Sequence, residues 1–397
     1  MTAVAFFAMP EAGHFERLRP LIADVSRAGL AAHVLTHRRF RTAVERAGAT
    51  FVDLFARYPL EDADDDSLPV PCRFVSFAGH YAEQILADVD EIQPALVVYD
   101  TFAVIGHLVG RMLGVPYVNV CAGHNMEPAA TIRRLRRDPR TRISPRCQQA
   151  VELLRARYGM ADASPFSYWS GLSPFLNVYC EPPAYLTEVE RRPFEPIAFY
   201  GSLPPLEEID GREPRRGING TLRVYISFGT VVWRYWAEEA LAALACISGV
   251  VGGLEDVRAL ISLGGVEVDA RSLARPNVSV EARVDQWEAL RDADVFITHQ
   301  GMNSTHEAIF NLVPMISYPF FADQPGLAAK CRDFGISIPL AASPRAKLSP
   351  ENVRQALDEV TANREAMLAS LEQARDWELE VMADRDAVVR RILSLGG

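Results

Sequence analysis

The stretch VFITHQGMNSTHE, Val295–Glu307, decides the fold. Val295 to Thr298 is an unbroken apolar run closed by a threonine, the pattern of a parallel strand covered on both faces. His299 to Gly301 interrupts it, and Ser304–Asn311 then carries helical spacing. Asn303, Ser304 and Thr305 cluster at the helix start, where amide N–H groups and the macrodipole favour an anion. Ser304 as N-cap, with Glu307 three residues on, forms a capping box. Capping alone would explain those two residues and leave His299, Gly301 and Asn303 without a reason.

The same rhythm extends outward. Leu222–Phe228 and Val257–Leu263 read as strands, Val278–Val280 as short and extended, and Met315–Tyr318 as a strand. Glu238–Ile247 and Trp287–Arg291 read as helices between them, and Pro350–Leu395 as charged and helical. The N-terminal half repeats the alternation: strands Ala3–Met9, Ala32–Thr36, Ala95–Tyr99 and Pro116–Val120, with helices after Gly13, at Phe40–Ala47 and at Val104–Leu113. Such alternation implies a mostly parallel sheet with right-handed crossovers. The expected class is α/β, as two Rossmann-like doubly wound domains facing each other across a cleft that holds the ligand. Expected boundaries are 1–200 for the first domain, with an irregular helical insertion at about 124–180. A Gly/Pro-rich linker at 201–220 and a second domain at 221–375 follow, and a C-terminal helix at 376–397 packs back on the first domain.

Length and composition narrow the function. A chain of 397 residues exceeds one ordinary core. The net charge of −10 argues against nucleic-acid binding through a basic surface. No apolar run reaches the roughly 20 residues of a membrane span, and the opening reads as a first strand rather than a signal peptide. Cys72, Cys121, Cys147, Cys180, Cys246 and Cys331 are scattered without a CxxC, which suits reduced thiols in the cytoplasm. Neither a G-x-G-x-x-G nor a Walker A motif occurs, so the usual dinucleotide and ATP fingerprints are missing.

Two further places carry chemistry. Ser227, Gly229 and Thr230 end a strand in a form suited to phosphate approach. His14 follows the first strand and Asp100 ends another of the same sheet, so the two can form a general-base pair.

At this point the chain resembles the family 1 (UGT-like) glycosyltransferases of the GT-B fold, of the bacterial type that acts on macrolides and other natural products. The resemblance spans nearly the whole chain. GHFERLRPL, Gly13–Leu21, is similar to the family's GHxxPxLPL opening; Phe40, Val44, Ala47 and Gly48 follow its FxxxVxxAG. Gly114-Val-Pro116, Tyr200-Gly-Ser202 and Ser227-Phe-Gly-Thr230 match further blocks. Gln286, His299, Glu307, Pro314, Pro319, Asp323 and Gln324 fall in the order of the donor-binding signature. The resemblance implies inverting transfer of a sugar from a UDP- or dTDP-linked donor to a hydroxyl of a small, hydrophobic or aromatic acceptor. It makes His14 the base and Asp100 its partner. Ser227, Gly229, Thr230, His299, Gly301, Asn303, Ser304 and Thr305 would hold the diphosphate; Arg283, Val284, Gln286 and Glu307 the nucleoside; and Asp323 and Gln324 the sugar. Departures are Arg283 for the family's stacking tryptophan, Asp285 for a proline, Leu312 for a glycine, Arg17 for a proline and Leu327 for an asparagine.

No cofactor or metal is expected beyond the nucleotide sugar as co-substrate. Asp62-Ala-Asp64-Asp-Asp66 contains a D-x-D but lies in a polar stretch, which reads as a solvated acidic loop. Phe166 and Trp169 are expected to wall the acceptor site, the alternative being that they pack the insertion's own core. The arginines at 133, 134, 136, 137, 140, 142 and 146, offset by Asp138, form a basic run that suits a solvated surface, an acidic acceptor or peripheral membrane contact. The expected partners are the acceptor and donor alone, with no nucleic acid and no membrane span, in a monomer or homodimer. A nucleotide-sugar epimerase and a catalytically silent auxiliary subunit are the rival functions.

Overall fold

The computed structural model describes residues 2–64, 66–121, 123–206, 209 and 220–397. The chain forms two compact units, Met1–Glu208 with Val381–Gly397, and Ile209–Glu380. Most of the expected linker at 201–220 lies outside the described residues.

Unit 1 runs β1 (Ala3–Phe7), α1 (Ala12–Arg27), β2 (Ala31–Thr36), α2 (Arg41–Arg46), β3 (Thr50–Asp53), α3 (Leu54–Arg57), α4 (Cys72–Asp90), β4 (Pro94–Asp100), α5 (Val104–Leu113) and β5 (Tyr117–Cys121). It continues through α6 (Pro128–Arg137), α7 (Pro145–Tyr158), α8 (Ser167–Ser170), β6 (Leu176–Tyr179), α9 (Glu188–Arg191) and β7 (Ile197–Phe199). The strands pair in parallel in the order β3-β2-β1-β4-β5-β6-β7. β1 and β4 sit centrally, and their apolar side chains are buried on both faces.

The region 124–180 is not wholly an insertion. It supplies α6, α7 and α8, but Leu176–Tyr179 is the fully buried strand β6, placed between β5 and β7. The acidic stretch is not wholly solvated either. Asp64 is buried and pairs with Arg146 at 3.4 Å, and burial raises its pKa.

Unit 2 runs β8 (Leu222–Ser227), α10 (Val232–Tyr235), α11 (Ala237–Val251), β9 (Val257–Ser262), β10 (Val278–Glu281), α12 (Gln286–Asp292), β11 (Val295–Thr298) and α13 (Met302–Phe310). It ends with β12 (Met315–Ser317), α14 (Gln324–Asp333), β13 (Ser337–Pro339), α15 (Pro350–Ala362) and α16 (Arg364–Ala383). Its parallel order is β10-β9-β8-β11-β12-β13. The last helix, α17 (Arg385–Leu393), belongs to unit 1 and packs on α1. Arg385 there donates to the carbonyls of Tyr200 (2.9 Å) and Leu203 (2.6 Å).

Candidate active site

In each sheet the strand order reverses beside the first strand. In unit 1, β1 connects toward β2 on one side, while β4 connects toward β5 on the other. Crossovers leaving in opposite directions open a crevice at the carboxyl ends of such strands. His14, in the first turn of α1, and Asp100, the last residue of β4, meet at that switch point. His14 Nδ1 lies 2.6 Å from Asp100 Oδ1. The Phe102 N–H donates to the same oxygen at 3.2 Å. Asp100 Oδ2 is buried with no hydrogen-bond partner among the described residues, which turns the carboxylate's charge toward the imidazole. An ionised carboxylate only accepts, so Nδ1 carries the proton and Nε2 is left as the basic nitrogen.

Phe102 escaped the sequence reading. Its ring lies 4.1 Å from that of His14, tilted by 36°, and fixes the imidazole from its face. An aromatic residue two positions after the strand-ending aspartate was the available signal. Phe166 and Trp169 do not form an open acceptor wall: both are buried in the unit 1 core. Trp169 meets Phe102 edge-on at 5.2 Å, one layer behind the residue that touches His14. Their large apolar surface is better satisfied by packing than by solvent.

In unit 2 the reversal falls between β8 and β11, whose last residues Ser227 and Thr298 are register partners. The two turns that follow enclose the His299 ring. A Cβ on Gly229 would come within 2.7 Å of ring atoms Cε1 and Nε2, and one on Gly301 would collide with Nε2. Gly229 also has φ +69°, and the Ser227 hydroxyl accepts its N–H at 3.3 Å. Burial lowers the His299 pKa to about 4, opposed in part by the Ser227 backbone. At neutral pH His299 is therefore an uncharged hydrogen-bonding group.

The capping box at Ser304 does not form. α13 starts three residues earlier than that pattern implies, with Gly301 as N-cap and without a side-chain cap. Ser304 lies inside the first turn, and Gln286 Nε2 donates to its Oγ at 3.1 Å. The same nitrogen donates to Glu307 Oε2 at 2.6 Å, so α12 and α13 are tied by one amide. Thr305 does not face a ligand. It is fully buried, and its hydroxyl donates to the Gly301 carbonyl at 3.0 Å and accepts from Gln300 Nε2 at 3.0 Å. Gln300 itself was missed. It is buried in the left-handed region at φ +61° and accepts from the Ser337 hydroxyl at 3.3 Å, which braces the turn from below. A polar residue between His299 and Gly301 was the only sequence signal. Asn303 is half-buried in the first turn, and Thr230 is exposed beside Gly229.

The remaining expected residues edge the same end of the sheet. Arg283 is exposed, with its guanidinium lying over Gly265, where a Cβ would be 2.8 Å from Nη2. Val284 is half-buried next to it. Asp285, in the place of a family proline, caps α12 by accepting from the N–H groups of Trp287 (3.0 Å) and Glu288 (3.3 Å). Asp323 precedes α14 and is half-buried. Gln324 spends its Oε1 on the N–H groups of Phe320 (2.8 Å) and Phe321 (3.2 Å), which leaves its NH₂ to donate.

The chain is similar to known glycosyltransferases. Residues 217–374 match the family model described as UDP-glucoronosyl and UDP-glucosyl transferase. The uncharacterized UDP-glucosyltransferase YdhE of Bacillus subtilis is 24% identical over 407 residues, covering 98% of this chain and 99% of the relative. Among solved structures, the glycotransferase of kitacinnamycin aligns with a TM-score of 0.74 at 22% identity, covering 98% of both chains. The spinosyn rhamnosyltransferase SpnG complexed with thymidine diphosphate aligns with a TM-score of 0.65 at 19% identity, covering 98% of this chain and 100% of that one. The two Rossmann-like units are those of the GT-B fold. The family-model match covers less than half of the chain and falls within unit 2. The chain is a nucleotide-sugar glycosyltransferase. Among the described residues, no helix is long and apolar enough to cross a membrane.

Proposed function

We propose that the protein transfers a sugar, with inversion, from a UDP- or dTDP-linked donor to a hydroxyl of a small natural-product acceptor. The observation that carries this reading is the 2.6 Å His14–Asp100 pair at the switch point of unit 1. His14 Nε2 takes the acceptor proton as the acceptor oxygen bonds to the anomeric carbon. The bond from that carbon to the diphosphate breaks, and the nucleoside diphosphate leaves. Asp100 stabilises the imidazolium, and general-base help of this kind is worth roughly 10²–10⁴ in rate. The first-turn amides of α13, with His299 as a neutral donor, meet the charge that develops on the leaving group. Gln286 and Glu307, with Arg283 and Val284, hold the nucleoside. Asp323 accepts from sugar hydroxyls, and Gln324 donates to them.

Similarity to a UDP-glucosyltransferase and to a structure holding thymidine diphosphate supports both donor bases. A thermal-shift panel of nucleoside diphosphates tests donor recognition, because a ligand that binds only the native state raises its melting temperature. The anomeric configuration of the product, read by NMR, tests inversion. A shift with UDP or dTDP and an inverted anomeric centre are expected. No shift with any nucleoside diphosphate, or retained configuration, contradicts the reading.

A further inference from the structure

We propose that Glu11 and Arg73 are positioning residues for the base, a pair that fixes the backbone from which the His14 imidazole reaches Asp100. This rests on the reading of His14 as the base. Glu11 is the N-cap of α1, and its carbonyl accepts from the N–H groups of His14 (3.1 Å) and Phe15 (3.0 Å). A carboxylate at a helix start is well placed to meet the first-turn N–H groups. Glu127 does so for α6, accepting from the Ala129 N–H at 2.9 Å. The Glu11 carboxylate makes no such cap in α1. It accepts instead from Arg73 Nη2 of α4, 62 residues away in sequence, at 2.8 Å. The side chains of Arg73 and Glu11 are only 12% and 13% exposed, so this is not a surface pair. Exposed pairs contribute little, whereas breaking a desolvated pair is costly.

The turn between β1 and α1 is gripped at two consecutive residues. Arg39, beyond the end of β2, donates to the Pro10 carbonyl, and Arg73 holds Glu11. The Glu11 N–H closes the turn on the Met9 carbonyl at 2.8 Å. α4 reaches the imidazole by a second route. The Arg73 guanidinium lies 5.0 Å from the centre of the Phe74 ring. Phe74 lies 6.2 Å from the Phe102 ring, and Phe102 covers the His14 ring at 4.1 Å. The start of α4 therefore fixes both the main chain behind His14 and the ring against its face, while Asp100 fixes Nδ1. All of these contacts lie within unit 1. A catalytic group displaced by about 1 Å can lose about 10²-fold in rate, so the anchoring bears on the chemical step rather than on substrate affinity.

The test needs no substrate. In the full chain carrying isotope-labelled histidine, the Nδ1–H proton of His14 gives a downfield NMR signal, identified by its loss in Asp100→Asn. His124 and His306 contact Glu181 and Glu378 through the same nitrogen, so their signals serve as controls. In E11A and in R73M the His14 signal is expected to move upfield and exchange faster with water, while the controls stay. In E11A/R73M it should move no further than in the worse single variant, since one contact is broken in all three. E11Q and R73K keep a hydrogen bond across the pair and should hold the signal close to its wild-type place. Glu11→Asp shortens the reach and keeps the charge, so it carries the same expectation as E11A should a truncation fail to fold. A merely structural pair would lower the melting temperature and leave every signal unmoved well below it. Single-turnover transfer from UDP-glucose to umbelliferone should slow by roughly 10–10²-fold in E11A and R73M. An unmoved His14 signal in both single variants, equal movement of the controls, or additive movement in the double variant overturns the proposal. A moved His14 signal together with wild-type turnover in His14→Ala would uphold the anchoring and contradict the base reading on which its role rests.

Discussion

Asp100 holds His14 through a 2.6 Å contact to Nδ1, with the carboxylate buried and the imidazole half-open to its surroundings. The carboxylate fixes which nitrogen is basic. Asp100→Asn keeps the shape but can present an N–H to Nδ1, which favours the wrong tautomer. Turnover should fall by roughly 10²–10⁴, with the KM for donor little changed. Steady-state kinetics with each substrate varied checks this.

His299 fits only because Gly229 and Gly301 lack side chains. Gly301→Ala should push the ring from its place and weaken nucleoside-diphosphate binding by tenfold or more, a loss of about 1.4 kcal/mol. Isothermal titration measures it. Affinity equal to wild type would show that the enclosure has no bearing on the donor.

His107 lies in the unit 1 core, and burial lowers its pKa to about 4. The unfolded chain binds this proton near pH 6.5 while the folded chain refuses it until about 4. Stability from this group is therefore complete above the unfolded value and falls as pH drops from about 6.5 toward 4. Melting midpoints at mildly acidic and neutral pH should differ less in His107→Gln than in wild type, whatever the absolute stability of the variant.

His306 on α13 and Glu378 on α16 form a buried pair at 2.5 Å. Removing one partner strands the other, and His306→Ala should cost about 3–5 kcal/mol. H306L/E378M should recover much of that loss, since apolar pairs of similar volume replace buried ions well. Denaturant unfolding of the three proteins checks the ordering.

Gln286 ties Ser304 to Glu307 with one NH₂ group. Gln286→Ala should raise the KM for donor several-fold with a smaller change in kcat, because the role proposed for it is nucleoside binding rather than contact with the reacting atoms.

Much of this molecule is legible in its sequence. Parallel strands buried on both faces leave continuous apolar runs such as Ala3–Phe7 and Val295–Thr298, and the glycines after them mark the turns. His14 was legible because it opens the helix that follows such a run, and Asp100 because it closes one. The edge strands β3, β7 and β13 were not, since three or four residues are too few to show a period. The start of α13 was misplaced because Ser304 looks like a cap, whereas Gly301 takes that role by backbone conformation alone. Sequence left Phe166 and Trp169 open between acceptor wall and core, because an aromatic residue in either place looks alike; their burial favours the core. The role of Thr305 depends on Gln300, whose buried network no local pattern announces.

The central claim is that His14 is the base. The measurement that tests it most directly is turnover of His14→Ala at saturating donor and acceptor, alongside nucleoside-diphosphate binding by the same protein. Turnover is expected to fall by roughly 10²–10⁴ with donor affinity unchanged. Wild-type turnover in a folded, donor-binding His14→Ala protein would contradict it.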